Sequence, residues 1–366
     1  MRVDRIRLEG FRNYAQADAA FDPCANIVAG ANAQGKTNLL EAVWLLTGCR
    51  SFRARQDREL IGFGRELARV EAELFAGGRT QRVELSMRAG QRRQFVRNGV
   101  KTRPSEMTGL LHAVLFCPED LNLLRAGPAV RRQFLDTMIC QLIPAAKPLY
   151  QEFARLYESK SRILRDWREK PSLLELLDEY SQAMARASAG VIRYRASCAL
   201  RLAELAAPIH REFSGGAEEL TVQYQTVSSV TDPTAPLQRV YEDVMEHQRS
   251  HRQAEIAAGA CLTGAYKDDL QIFINGHPAR TFTSQGQTRT AALSLKLAER
   301  ELHQLKTGEW PVQLLDDVLS ELDAQRQEYV LNRVRGGQML LTCCGGEEIS
   351  RRIGGRVLRI EEGRIS

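Results

Sequence analysis

The run Gly30-Ala-Asn-Ala-Gln-Gly35-Lys36-Thr37 constrains this chain more than any other. It follows the short apolar stretch Ile27-Val28-Ala29 and precedes a segment of helical character that begins near Lys36. A strand, a glycine-bearing turn and a helix in that order aim backbone N–H groups and a positive helix end at one point, which suits a phosphate. The small residues Gly30, Ala31, Ala33 and Gly35, with Asn32 and Gln34 between them, would let the backbone curl round a β-phosphate. Lys36 is placed to neutralise β/γ oxygens, and Thr37 to offer its hydroxyl to Mg²⁺. Residues 30–37 are therefore the candidate nucleotide contacts, Lys36 also being a catalytic candidate, with ATP and Mg²⁺ as the expected cofactors.

Such a loop needs a carboxylate for the metal, and Val312-Gln-Leu-Leu-Asp316-Asp317 supplies one at the end of an apolar strand. Asp316 is the metal candidate, and Asp317 stands where a general base or water-orienting group belongs. Both motifs must meet at one metal, so the roughly 280 residues between them have to leave the core and return. A third element, Ser284-Gln285-Gly286-Gln287, opens the helix before that strand. Ser-x-x-Gln is a capping box, Ser284 capping an amide while Gln287 reaches back. An S-x-G-[QE] cap is also what ABC-type ATPases present to the γ-phosphate bound by a second subunit, so Ser284, Gly286 and Gln287 are catalytic candidates.

The residue pattern divides the chain into three parts: 1–120, 121–260 and 261–366. The first reads as strands and turns around one helix, with Asn98-Gly99 suited to a two-residue hairpin turn. From Leu121 to Phe213 glycine occurs only at Gly127 and Gly190, and apolar residues recur at helical spacing. Tyr180, Met184, Ala187, Val191, Tyr194, Cys198, Leu202 and Leu205 share one face of a helix expected over 172–207. Phe153, Leu156, Ile163, Leu164 and Trp167 mark a second helix, and the two could pack as a short arm or belong to a globular helical subdomain. Strands return after about Cys261, with a hairpin expected over Leu270–Ile274 and Arg280–Phe282. A helix is expected over 285–306, strands at 312–315, 339–342 and 357–360, and another helix at 323–334. The expected architecture is α/β: a discontinuous ABC-type P-loop ATPase head with an inserted α-helical arm.

Charge adds one further candidate. The net charge is +6, and the window Leu85–Ser105 alone holds Arg88, Arg92, Arg93, Arg97, Lys101 and Arg103 with no acid. A concentrated basic patch suits a polyanion, and Arg92, Arg93 and Arg97 are the DNA-contact candidates. Rival surfaces are Arg50, Arg53, Arg55 and Arg58, or Lys160, Arg162, Arg165 and Arg168. No apolar run reaches the length of a membrane span, and no secretory leader is read at the N-terminus. Eight cysteines without a C-x-x-C pair fit reduced thiols in the cytoplasm.

Taken together these motifs resemble the RecF family of bacterial recombination mediators, which are SMC-like ABC ATPases. The resemblance rests on Arg7–Tyr14, Gly30–Ala42, Ser51-Phe52-Arg53, Pro118–Leu121, Gly127-Pro128, Arg131–Asp136, Thr283–Thr290 and Leu314–Asp323. It implies an ATP-gated homodimer that binds single-stranded, gapped or junction DNA in recombinational repair and replication restart. It also implies loading of RecA together with RecO and RecR, a bearing on the SOS response, and slow DNA-stimulated ATP hydrolysis. Ser320–Asp323 corresponds to the loop that touches the opposite active site in such dimers. The chain departs from the family in having Tyr266-Lys267 where His-Arg is usual, Ala33 where Gly is frequent, and Thr342-Cys343-Cys344 without a switch histidine. No glutamine near Pro118 marks a Q-loop. Two other readings are an ATP-sensing dimeric adaptor with little turnover, and a transporter's ATPase subunit. The long helical insertion speaks against the latter.

Overall fold

The structure is a computed structural model that describes residues 1–366, apart from the side chains of Leu121, Asn122 and Glu348. In chain order, β1 (Arg2–Phe11), β2 (Tyr14–Ala20) and β3 (Ala25–Ala29) lead into helix α1 (Lys36–Leu45). Four strands follow, β4 (Leu67–Ala76), β5 (Arg79–Arg88), β6 (Gln94–Arg97) and β7 (Val100–Thr102), then the short helix α2 (Pro104–Met107) and β8 (Ala113–Phe116). Helices α3 (Pro128–Leu142), α4 (Lys147–Asp166) and α5 (Leu177–Phe213) come next, then β9 (Leu220–Gln225) and α6 (Leu237–Ala258). Strands β10 (Asp269–Ile274) and β11 (His277–Pro278) precede α7 (Ala279–Phe282) and α8 (Gln285–Thr307). The chain closes with β12 (Val312–Leu315), α9 (Ala324–Arg333), β13 (Met339–Cys343), α10 (Gly346–Ile353), β14 (Arg356–Glu361) and β15 (Arg364–Ile365).

These elements form two compact units. One comprises Met1–Asn122, Glu212–Gly215 and Arg289–Ser366, the other Leu123–Arg211 and Gly216–Thr288. The first unit holds two six-stranded sheets. One runs β2-β1-β4-β5-β6-β7, and every pair in it is antiparallel. Along β4 buried residues alternate with half-buried ones, as a strand with one face on the core requires. The other sheet runs β15-β14-β3-β13-β12-β8 and is parallel from β14 to β8. Its strands β3, β12 and β8 are buried at every residue, which explains their largely apolar runs. Helix α1 sits in the core between them: Leu39, Leu40 and Val43 join one apolar cluster with Ile6 and Leu8 of β1, Val70 of β4, Leu314 of β12 and Leu340 of β13.

The second unit packs α4, α5 and α6 through Phe153, Leu156, Met184, Ala187, Val191, Val240 and Val244. The expected apolar face of α5 holds, for none of its eight residues is exposed. The helix itself begins at Leu177 and runs through Pro208 to Phe213, residues 171–176 forming a tighter 3₁₀ segment.

Three expectations need correction. Arg280–Phe282 is helical, not a strand: Asn275 and Gly276 turn the chain at positive φ, but pairing ends at Pro278, which has no N–H to donate. Residues 261–288 belong to the second unit, although the sequence pattern assigned them to the head, because β10 pairs along its length with β9. Lys160 lies on no surface. It is fully buried and pairs with Glu255 at 2.7 Å. Among the described residues no helix is long and apolar enough to cross a membrane.

Candidate functional site

The phosphate-loop candidate lies where β3 ends, at the carboxyl edge of the parallel sheet, the position at which open α/β sheets bind ligands. Two glycines there are needed for space. A Cβ at Gly30 would come 2.4 Å from the Ile360 carbonyl of β14. Gly35 has φ 120°, and a Cβ there would meet the Asn13 amide at 2.7 Å. The loop is held from outside by Asn13 Nδ2, which donates to the Gln34 carbonyl at 2.8 Å, and by Tyr14 OH, which donates to the Gly35 carbonyl at 2.8 Å. Neither contact could be anticipated from the run 30–37 itself, although both residues sit in the Arg7–Tyr14 motif. Lys36 is buried, and its Nζ donates to the Gly30 and Ala31 carbonyls at 2.8 and 3.1 Å, so its charge is held over the loop.

The two halves of the proposed metal site meet within this unit. Thr37 Oγ1 donates to Asp316 Oδ1 at 2.8 Å across 279 positions of sequence. The sheet order explains how. Strand β13 lies between β3 and β12, and Thr342 near its end donates to the same Asp316 oxygen at 3.0 Å. The Thr342 hydroxyl also accepts from the Asp317 N–H at 2.7 Å, holding Asp317 in a left-handed conformation with φ 49°. Burial pushes the Asp316 carboxyl above the usual carboxylate range, and the Thr37 and Thr342 hydroxyls pull against that rise while Asp317 adds to it. A hydroxyl and a carboxylate are hard oxygen donors of the kind that hold Mg²⁺, so this pair fits that ion. Thr342 was missed in the sequence, where its stretch drew notice only for lacking a histidine.

Behind the loop, Glu41 of α1 is fully buried and takes a two-pronged contact from Arg12 at 2.8 and 2.9 Å and a hydrogen bond from Ser51. This ties α1 to the β1–β2 turn and to the segment after the helix.

Ser284–Gln287 forms the capping box expected: the Ser284 N–H donates to Gln287 Oε1 at 2.9 Å, and the Gln287 N–H to Ser284 Oγ at 3.2 Å. Ser284 is exposed, Gly286 and Gln287 are half-exposed, and all three lie in the second unit.

The basic window is less uniform than its composition suggests. Asn98 and Gly99 have φ 51° and 81°, making the expected hairpin turn. Arg93, however, is committed to Asp57 by two hydrogen bonds of 2.8 and 2.6 Å and to the Cys49 carbonyl at 3.0 Å. Arg97 donates to Gln81 at 3.0 Å. Of the three candidate DNA contacts only Arg92 is exposed, alongside Arg88, Lys101 and Arg103. Arg50, Arg53, Arg55 and Arg58 are all exposed.

In the second unit, the Arg131–Asp136 stretch is clasped from two sides. Arg131 grips Asp269 with bonds of 2.7 and 2.8 Å, and Arg195 grips Asp136 at 2.7 and 2.8 Å. Arg195 also donates to Asp268 at 2.8 Å, and Thr226 to its other oxygen at 2.7 Å. Burial pushes Asp268 up to about 6 against the pull of Arg195. Tyr266, in place of the family's usual histidine, packs on Tyr157 with ring centroids 4.5 Å apart and donates to the Cys261 carbonyl. Lys267 lies over the Tyr266 ring. Both replacements therefore have local partners in this unit.

Residues 2–345 match the family described as the RecF/RecN/SMC N-terminal domain. The chain is 36% identical over 337 residues to the DNA replication and repair protein RecF of Bacillus cereus (strain G9842), covering 92% of this chain and 90% of that one. To the protein of the same name from Bacillus subtilis (strain 168) it is 35% identical, covering 92% and 91%. Among solved structures, the recombination mediator RecF with ATP, of the RecFOR pathway, is 29% identical with a TM-score of 0.91, over 100% of this chain and 96% of that one. The Smc head domain of Pyrococcus furiosus, at 14% identity and a TM-score of 0.56 over 100% and 95%, shares the fold.

Proposed function

Because the chain belongs to the RecF family, we propose that it is an ATP-binding protein of DNA replication and repair that works as an ATP-gated homodimer on single-stranded or gapped DNA. The observation that carries this reading is the Thr37–Asp316 contact at 2.8 Å, which joins the two nucleotide motifs at the end of one sheet.

The chemistry follows from the groups present. Lys36 holds two neutral carbonyls, and β/γ phosphate oxygens would replace them with charged acceptors, which give roughly twice the strength per hydrogen bond. Residues 30–37 would cradle the phosphates through their N–H groups. Thr37 and Asp316 would hold Mg²⁺, which when bound neutralises charge between the β- and γ-phosphates. Asp317 is the candidate for orienting or deprotonating the attacking water, its backbone fixed by Thr342. Ser284, Gly286 and Gln287 of a second copy would complete the site, as the family resemblance implies. The absence of a switch histidine after β13 favours a slow, DNA-stimulated turnover and a clamp more than a motor. Cooperation with RecO and RecR in loading RecA, a part in SOS induction and a cytoplasmic location belong to the same reading.

Ser284→Arg tests it. The exposed side chain can be enlarged without disturbing the core, so the variant should bind ATP as the wild type does yet fail to dimerise with ATP in sedimentation velocity. A variant that still dimerises, or a wild type that never does, counts against the clamp. Competition among single-stranded, gapped and duplex DNA at fixed salt ranks the substrates.

A further inference from the structure

Phe63 is the most exposed large apolar residue described in this protein, at 107% of its reference area. It stands on the turn Gly62–Arg65, closed by the Arg65 N–H donating to the Gly62 carbonyl at 3.0 Å, with φ 72° at Gly64 as a type II turn requires. Nothing lies within 4 Å of a Cβ placed at Gly64, so the tip is open on that side.

The base of the turn is pinned. The Gly62 N–H donates to the Gly10 carbonyl at 2.8 Å, the Arg12 N–H to the Leu60 carbonyl at 2.9 Å, and the Arg12 guanidinium to the Glu59 carbonyl at 2.8 Å. A Cβ at Gly62 would come 2.9 Å from the Arg12 carbonyl, so the backbone is packed there. Arg12 is in turn locked to Glu41 of α1. A bare aromatic ring is thus held on a fixed mount, and that mount is braced to the helix that follows the phosphate loop.

The stretch 50–66 carries five arginines against three acids. Arg50, Arg53, Arg55, Arg58 and Arg65 are exposed. Of the acids in the same stretch, Asp57 is taken by Arg93, Glu59 accepts the Gln56 N–H at the head of its 3₁₀ turn, and Glu66 is exposed beside Arg65, so arginine outnumbers the remaining acids. An aromatic face among arginines suits an unpaired base with its neighbouring phosphates, since every base offers a π face and every linkage an anion.

We propose that Phe63 is a base-stacking contact for unpaired nucleotides, with Arg58 and Arg65 holding the adjoining phosphates. This rests on the reading of the protein as DNA-binding and adds to it the residue that distinguishes unpaired from paired DNA. An isolated exposed phenylalanine is common on protein surfaces, and what sets this one apart is the pinned mount and the arginine-rich segment that leads into it.

The test is fluorescence anisotropy at fixed salt with Phe63→Ala and Phe63→Trp, on single-stranded, gapped and fully paired DNA, with ATP binding and thermal melting measured alongside. Phe63→Ala should weaken single-stranded and gapped DNA by roughly 5- to 150-fold. Duplex affinity should stay the same, as should the slope of log K against log[salt], because no charge is removed. Phe63→Trp should restore binding. Unchanged affinity for gapped and single-stranded DNA overturns the proposal, as does an equal loss on all three DNAs. A variant whose defect is in ATP-dependent dimerisation overturns it too, by making Phe63 a contact with a second copy. A wild type that binds none of the three DNAs removes the DNA-binding reading itself, and the wild-type titration separates that result from the others.

Discussion

Replacing Thr342 with valine removes one hydroxyl and keeps the shape, and that hydroxyl serves both acids of the site. It donates to Asp316 at 3.0 Å and accepts from the Asp317 N–H at 2.7 Å, while the residue is 1% exposed. Losing a hydrogen bond to a charged group costs about 1.5–3 kcal/mol, and leaving a shielded N–H without an acceptor about 1–3 kcal/mol. The expected destabilisation is therefore about 2.5–6 kcal/mol, a large share of the ~5–15 kcal/mol typical of a folded domain. Urea unfolding followed by tryptophan fluorescence in a Trp167→Phe background reads the first unit, which holds Trp44 and Trp310. With a slope of about 1–3 kcal/mol/M, the midpoint should fall by at least ~0.8 M at constant slope. Thr342→Ser keeps the hydroxyl and loses a methyl, so it should cost only about 1 kcal/mol. With one fewer donor the Asp316 carboxyl rises further, so Mg²⁺-dependent nucleotide binding should fail at a higher pH in the valine variant than in the wild type. A valine variant within 1 kcal/mol of the wild type, or a serine variant as damaged as the valine one, would refute the shared-hydroxyl account.

Lys36→Ala should weaken ATP binding by about 10- to 150-fold in calorimetry, the worth of a charge-assisted hydrogen bond to phosphate, with the fold retained by circular dichroism. Asp317→Asn should trap the ATP-bound dimer, since an amide keeps the shape but cannot take a proton, and equal phosphate release by both proteins would place the base elsewhere. Arg93→Glu should destabilise the first unit by about 1–3 kcal/mol through loss of Asp57. Arg92→Glu should leave stability alone and reduce the DNA salt slope by roughly 0.7–0.9 if Arg92 meets one phosphate. Burial lowers His112 to about 4. Its unfolded value is near 6.5, so the unfolded chain binds the proton first and stability falls as pH drops through that window. Between pH 7 and 5 the loss from this residue is about 2 kcal/mol, and it should vanish in urea titrations of His112→Gln.

Local chemistry was legible because it is settled within a few residues. The glycines of 30–37, the capping box at Ser284–Gln287, the Asn98-Gly99 turn and the apolar face of α5 each depend on neighbours along the chain. Their side chains, φ angles and hydrogen bonds follow the pattern read from the sequence. The meeting of Thr37 and Asp316 was also foreseeable, since a metal between phosphates demands a carboxylate.

Partnership across the fold was not legible, because sheet order and burial are set by contacts remote in sequence. That one threonine on the intervening strand would hold both aspartates depends on β13 lying between β3 and β12. Arg93 looked like a free cation until the fold brought Asp57 to it, and Lys160 until Glu255 met it in the core. Strand pairing with β9 likewise placed residues 261–288 in the second unit. A charge in a sequence is a possibility for many partners, and only the tertiary structure, by removing it from water, chooses one.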